Sequence, residues 1–160
     1  MSASGGAEVR ALEVNVFYPQ IPIRSVREPQ MVQPGLSVDQ MRIVRFLRDP
    51  ATFGGRRPAY FNTAVSHLFV DGPHLYVLHK PVRCDGYSCQ TPEERWHWCE
   101  AQCMRAVPRT GRGPARPLPI VRRANRFFLG GPGSIQDWVL KISCASVAVD
   151  SGLITLNQAA

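Results

Sequence analysis

Alternating hydrophobic and polar residues along the chain predict a series of β-strands. Residues 60–70 form an apolar, strand-like segment, a turn follows at 71–74, and residues 75–79 return, which together predict a β-hairpin. The same kind of pattern predicts further strands at residues 12–16, 120–129, 138–144 and 153–157. Short strands separated by turn residues indicate a mainly antiparallel sheet.

A spacing of three residues predicts a first helix at residues 38–48. A capping-box pattern runs from Ser37 to Gln40, and Pro50 ends the helix. The side facing the core is expected to carry Val38, Met41, Val44 and Leu47. A second stripe with the same step consists of Arg42, Arg45 and Arg48. Two interpretations of this stripe stay open, a solvated helix face and a binding surface.

A second helix is predicted at residues 92–106 by its first turn. Thr91 is a suitable N-cap, Pro92 occupies the first helical position, and Glu94 completes a capping box. One stripe of this helix contains Trp96, Cys99, Cys103 and Ala106. Pro108 prevents the helix from continuing.

Proline, glycine and small polar residues predict where the chain is irregular. Residues 1–10 are expected to form a flexible N-terminal arm, 18–35 a proline-rich linker, and 107–119 a loop rich in Arg, Pro and Gly. Irregular segments are also expected at 49–59 and 80–91. We therefore predict an α+β fold, mainly antiparallel β with two helices, in which residues 11–160 form a single small domain with extended arms.

Composition narrows the class of protein. The chain has 160 residues, of which 44% are hydrophobic and 19% charged, as in a globular protein. No apolar run reaches the roughly 18 residues of a membrane span. The first ten residues lack the apolar stretch of a secretory signal, so we expect an intracellular location, in cytoplasm, organelle or virion, without secretion by a classical signal peptide.

The positive charge is concentrated in one segment and consists mainly of arginine. The formal net charge is +7, and no acidic residue occurs between Glu100 and Asp137. Lys80 and Lys141 are the only lysines, so 17 of the 19 basic residues are arginines, whose guanidinium groups bind phosphate and carboxylate in a bidentate way. The candidate polyanion-binding residues are Arg105, Arg109, Arg112, Arg116, Arg122, Arg123 and Arg126.

Two observations bear on that segment in different ways. Phe127 and Phe128 follow Arg126 directly, and arginine next to aromatic side chains suits both phosphate contact and base stacking. The phenylalanines can equally fill the core while the arginines line a wet edge. A GC-rich coding sequence also explains an excess of arginine over lysine, although it does not explain the absence of acidic residues.

A cluster of cysteines is the candidate metal site. Cys84, Cys89, Cys99 and Cys103 fall within 20 residues, with His97 among them as an alternative ligand. A loop pair and a helix pair can converge on a tetrahedral zinc ion, and four protein ligands would make that zinc structural. Two other interpretations remain open: reduced thiols packed in the core, and disulfides between the loop and the helix.

Enzyme motifs are mostly missing from the sequence. It has no phosphate-binding loop, no dinucleotide fingerprint and no zinc-protease helix, and a cysteine nucleophile with His67, His74 or His79 as base is possible only in outline. We therefore expect a non-catalytic structural or assembly subunit, of a viral or ribonucleoprotein type, that contacts RNA or another polyanion and neighbouring proteins, including copies of itself. The alternatives are a small cysteine- or zinc-dependent enzyme and a regulatory module that binds an acidic partner protein.

Overall fold

The computed structural model describes residues 11–12, 38–84, 86–106, 115–143, 146–150 and 153–157. The predicted arm at 1–10 and the predicted linker at 18–35 lie outside the described residues. The helices are α1 (Val38–Arg48), a short 3-10 helix (Pro50–Phe53) and α2 (Pro92–Ala106). The strands are β1 (Ala11–Leu12), β2 (Ala59–Asn62), β3 (Ser66–Asp71), β4 (His74–His79), β5 (Arg83–Cys84), β6 (Tyr87–Ser88), β7 (Ala115–Arg123), β8 (Arg126–Leu129), β9 (Ser134–Ser143), β10 (Ser146–Asp150) and β11 (Leu153–Asn157).

The main sheet has six strands in the order β2-β3-β4-β9-β7-β8, all antiparallel and curled into a half-barrel. β10, β11 and β1 form a second antiparallel sheet, and β5 pairs with β6 inside the segment expected to be irregular. The predicted α+β fold with two helices is confirmed, and both helices have the predicted bounds.

Each face of the main sheet is covered by one helix. α1 and the 3-10 helix pack on the inner face, where Ile43, Leu47 and Phe53 join apolar side chains from all six strands. α2 covers the outer face, where Cys99 packs among residues of β3, β4 and β9. Since α1 contacts both edge strands, β2 and β8, it lies inside the curl of the half-barrel.

The side of α1 that faces the core differs from the prediction. Gln40, Ile43 and Leu47 are buried, whereas Met41, an expected core residue, is 46% exposed. The side chain of Val38 lies outside the described residues. The helix is rotated because Gln40 enters a polar network beneath the sheet, which brings the i+3 and i+7 positions, Ile43 and Leu47, onto the apolar layer.

The predicted strand at 120–129 is wrong in its extent. It consists of the end of β7 and the whole of β8, joined by a two-residue turn in which Ala124 and Asn125 have φ of 44° and 64°. Two consecutive positive φ values are typical of the hairpin turn that matches the strand twist. The sequence lacks the usual glycine there, so the turn gave no signal.

The predicted loop at 107–119 also ends earlier, because β7 begins at Ala115. Pro117 and Pro119 both lie in this strand, where they pair in register with β9. The carbonyl oxygen of Pro119 accepts a hydrogen bond from the Gly130 amide, on the side of the strand away from β9. The nitrogens of both prolines therefore point away from β9. The two prolines do not interrupt the hydrogen bonds between β7 and β9.

Candidate functional site

The arginine stripe of α1 lies on the exposed side of the helix. Arg42, Arg45 and Arg48 are all exposed, and they span about 9 Å along the helix axis. The guanidinium carbon of Arg48 lies 4.7 Å from the ring centroid of Tyr60 in β2. This cation–π contact fixes one end of the stripe against the edge of the sheet.

The β7–β8 hairpin carries three further exposed arginines close to its turn. Arg122 donates a hydrogen bond of 2.9 Å to Oδ1 of Asn125. The guanidinium carbon of Arg123 lies 3.9 Å from the ring centroid of Phe128. Arg123 and Arg126 are paired directly across the hairpin. Since side chains alternate along a strand, Arg122 shares the face of Phe127, whereas Arg123 and Arg126 share the other.

A contact between two aromatic rings brings the helix stripe and the hairpin together. Phe46 of α1 and Phe127 of β8 have ring centroids 5.9 Å apart. Arg42 lies one helical turn before Phe46, on the same side of α1, and Arg122 is the register partner of Phe127. We call the combined set the arginine surface: Arg42, Arg45 and Arg48 on α1, Arg122 on the hairpin face that α1 contacts, and Arg123 and Arg126 on the opposite face, next to the turn.

None of the described acidic side chains forms an ion pair with the arginine surface. Within the described part of the chain, ion pairs join Arg56 to Asp71, Arg95 to Asp137 and His97 to Glu100, and none includes a member of this surface. Like charges held close together repel one another, and a bound polyanion relieves that repulsion.

The structure separates the arginines that the sequence groups together. Arg122, Arg123 and Arg126 are close neighbours at the hairpin, but Arg116 lies six residues before Arg122 on β7, about 20 Å away. The side chain of Arg105, and the whole of Arg109 and Arg112, lie outside the described residues. The α1 stripe, in contrast, was not among the predicted site residues, because its proximity to the hairpin depends on a long-range contact.

The described thiols lie beneath α2. Cys89 and Cys99 are buried and Cys103 is half-buried, and Cys99 and Cys103 are free thiols. Burial raises the pKa of the Cys99 thiol, and Cys103, Asp137 and Cys89 raise it further. Burial likewise raises the pKa of Cys103. Both thiols are therefore protonated near neutral pH, whereas a catalytic nucleophile reacts as a thiolate.

The structure describes the side chains of only three of the four predicted zinc ligands. The side chain of Cys84 lies outside the described residues, and among those described no group of three or more His, Cys, Asp or Glu is arranged to hold a metal ion. His97 is 61% exposed beside Glu100, two residues from the buried Cys99 and thus on the opposite side of α2. Zinc on Cys84, Cys89, Cys99 and Cys103 stays a prediction.

A buried polar network connects the two helices through Asp137 of β9. Arg95 of α2 binds the Asp137 carboxylate with both arms of its guanidinium, at 2.6 and 2.9 Å, and donates to the carbonyl oxygens of Cys89 and Gln90. Gln40 of α1 hydrogen-bonds Asp137 from the other face and donates to the His79 carbonyl oxygen. Burial raises the pKa of Asp137, and Arg95 opposes that rise. This buried network is suited to holding the helices in place.

The histidines considered as possible bases lie apart. Register pairs place Ser66 opposite His79 and His67 opposite Leu78, so His67 and His79 point to opposite faces of the sheet. These two histidines therefore cannot act on the same substrate atom. Burial lowers the pKa of each to about 4, and Nδ1 of His67 lies 2.9 Å from the Tyr60 hydroxyl. Both rings are neutral and packed at neutral pH.

Among the helices in the described ranges, none is long and apolar enough to cross a membrane. Comparison with protein-family models, with curated proteins and with solved structures gives no significant match to this chain.

Proposed function

We propose that this chain is a non-catalytic structural or assembly subunit, of the kind found in virions and ribonucleoproteins, that binds RNA or another polyanion through the arginine surface. The observation that supports this most strongly is the contact of Phe46 with Phe127. It places Arg42 of α1 beside Arg122 of the β7–β8 hairpin, and within the described residues no ion pair includes an arginine of either element.

The chemistry of these side chains favours phosphate groups as the ligands. A guanidinium group offers a planar fork that matches two phosphate oxygens. Six such groups on α1 and around the tip of the adjoining hairpin suit a chain of phosphates rather than a single one. Arg48 and Arg123 are already held against aromatic rings, so they lose less freedom on binding than unsupported arginines would. The planes of stacked guanidinium groups also accept nucleobases.

Among the described cysteines, the environment of the thiol groups argues against the cysteine-enzyme alternative. Cys99 is 1% exposed and its pKa is raised, so it lacks both the access and the charge of a nucleophile. The regulatory alternative uses the same arginine surface, with carboxylates of an acidic protein in place of phosphates. Binding of the purified chain to RNA in the absence of any other protein distinguishes these two functions.

The test is the salt dependence of binding to a fluorescently labelled single-stranded RNA, followed by anisotropy. The variant Arg45→Gln/Arg126→Gln removes one charge from each part of the surface, and neither side chain has a described contact to lose. Each lost phosphate contact lowers the slope of log K against log salt by about 0.7, so the slope should fall by about 1.4.

Arg57→Gln/Arg83→Gln is the matched control, because both arginines are exposed and lie outside the arginine surface. We expect this control to keep a slope close to that of the wild-type chain. An equal decrease in both variants would show that only net charge matters, and it would contradict the proposal. Absence of RNA binding by the wild-type chain at low salt would contradict it as well.

A further inference from the structure

Arg116 lies in a second basic patch on the inner face of the main sheet, at the other end of β7. Register pairs run from Arg116 to Lys141 in β9 and from Lys141 to Tyr76 in β4. In the next row, His74 pairs with Ser143, and Nδ1 of His74 lies 3.3 Å from the Ser143 hydroxyl. Directly paired residues point to the same face, so these side chains form one patch.

The patch places two positive charges directly opposite each other. Like charges at paired positions of an antiparallel sheet are destabilising, and neither Arg116 nor Lys141 takes part in an ion pair within the described ranges. Asp71 pairs with His74 in register, but the Arg56 guanidinium already binds its carboxylate at 3.1 Å. The patch thus holds three cations and one carboxylate.

The effect of these charges on His74 shows that they share one environment. Burial lowers the pKa of His74, and Lys141, Arg56 and Arg116 lower it further, while Asp71 raises it. Burial raises the pKa of Tyr76 and Asp71 raises it further, while Arg116 and Arg56 act in the opposite direction. The Lys141 ammonium lies 5.6 Å from the Tyr76 ring centroid, which positions it over the face of the patch.

We propose that Arg116 and Lys141 form a binding site for a compact phosphate-type anion, with His74 and Ser143 at its edge. A tetrahedral phosphate has enough oxygens to accept from the Arg116 fork and the Lys141 ammonium together, and the Ser143 hydroxyl can donate a further hydrogen bond. The bound anion relieves the repulsion between the two cations. This site stands apart from the arginine surface, because about 20 Å of strand separates Arg116 from Arg122.

The test is an NMR titration of the full chain at pH 7 with inorganic phosphate, with sodium chloride at matched ionic strength as the reference. The imidazole signals of His74 should show a saturable shift with phosphate and none with chloride. In Arg116→Gln/Lys141→Gln the apparent affinity should fall at least tenfold. Arg45→Gln/Arg126→Gln should respond like the wild-type chain, which separates this site from the proposed function.

A second titration with a short single-stranded RNA distinguishes the two sources of phosphate. A His74 shift with phosphate alone assigns the site to a free phosphate or phosphomonoester, and a shift with both extends it to a nucleic-acid backbone. Folding of Arg116→Gln/Lys141→Gln is checked by its melting temperature in phosphate-free buffer, which should equal or exceed that of the wild-type chain. An unsaturable shift, or the same affinity in the double variant, would overturn the proposal.

Discussion

The rings of Phe46 in α1 and Phe127 in β8 are in contact, with centroids 5.9 Å apart and planes at 45°. This contact attaches the helix inside the half-barrel to its outermost strand. It also places the arginine stripe of α1 beside the arginines of the β7–β8 hairpin. The position of one half-buried aromatic pair therefore determines the shape of the basic surface.

Removing that contact should weaken RNA binding without any change in charge. Phe46→Ala deletes a partly buried ring, and we expect a loss of about 2 kcal/mol in the free energy of unfolding together with a several-fold loss of RNA affinity at unchanged net charge. Urea unfolding and anisotropy measure the two effects. Met104→Ala, at a 79% exposed position of α2, is the control and should change neither quantity appreciably.

The buried pair of Arg95 and Asp137 should contribute more to stability than the pair of Arg56 and Asp71, in which Asp71 is buried but Arg56 is exposed. Arg95→Gln leaves a buried carboxylate without its cation, which costs about 3–5 kcal/mol in the free energy of unfolding. Because the Arg56 side chain is 69% exposed, water screens this pair, and Arg56→Gln should cost less, about 1–2 kcal/mol. Chemical denaturation of both variants provides the comparison, and equal losses would contradict the role given to the network.

Local signals in the sequence were sufficient for the helices. Thr91 and Glu94 make the reciprocal capping hydrogen bonds that their spacing predicts, and α2 has its predicted bounds. Long-range relationships were not accessible in the same way. Nothing near Arg95 in the sequence identifies Asp137 as its partner, and the rotation of α1 that exposes Met41 follows from that network rather than from helix periodicity.

For the candidate site, too, the sequence indicated the charged residues but not their arrangement in space. The charges of the hairpin arginines were evident from the acid-free segment between Glu100 and Asp137. Their division into two patches was not, because it depends on β7 beginning at Ala115 despite two prolines. The turn at Ala124 and Asn125 lacks glycine, so the hairpin that presents Arg122, Arg123 and Arg126 had no sequence signature.

Stability should decrease in mild acid because of two buried histidines. His67 and His79 have pKa values near 4 in the folded chain against an ordinary value of 6.5. Because the folded-state pKa is lowered, protonation favours the unfolded chain. The stability is thus complete above pH 6.5 and decreases as the pH falls towards 4, by up to about 1.4 kcal/mol per pH unit for each histidine.

Denaturation between pH 7 and pH 5 measures this dependence above the range in which most carboxylates titrate. Asp137 acts in the opposite direction, since burial raises its pKa and Arg95 only partly opposes that rise. His79→Gln should flatten the profile, whereas the exposed His97→Gln should leave it as in the wild-type chain. A wild-type profile without slope in this interval would contradict the neutral state assigned to both rings.

Thiol reactivity should follow burial and the raised pKa values. In the native, reduced chain at pH 7.5, maleimide should label the half-buried Cys103 before Cys99, and Cys89 and Cys99 should react only on unfolding. Mass spectrometry of peptides from a time course gives the order. Rapid labelling of Cys99 would show that this thiol is accessible and activated, and it would favour the cysteine-enzyme alternative.

A native mass spectrum of the reduced chain tests the zinc prediction. Zinc on Cys84, Cys89, Cys99 and Cys103 adds one zinc increment that disappears on acidification, since the ligands must be thiolates. A metal-free mass with intact thiols would instead support reduced core cysteines.

We propose that a single polyanion contacts both α1 and the β7–β8 hairpin. Its most direct test compares two triple variants in the salt dependence of binding to the same short RNA: Arg42→Gln/Arg45→Gln/Arg48→Gln and Arg122→Gln/Arg123→Gln/Arg126→Gln. If both parts contact one RNA, each variant should lower the slope by about 2 while the complex stays 1:1. A slope that changes in only one of the two variants would contradict the claim.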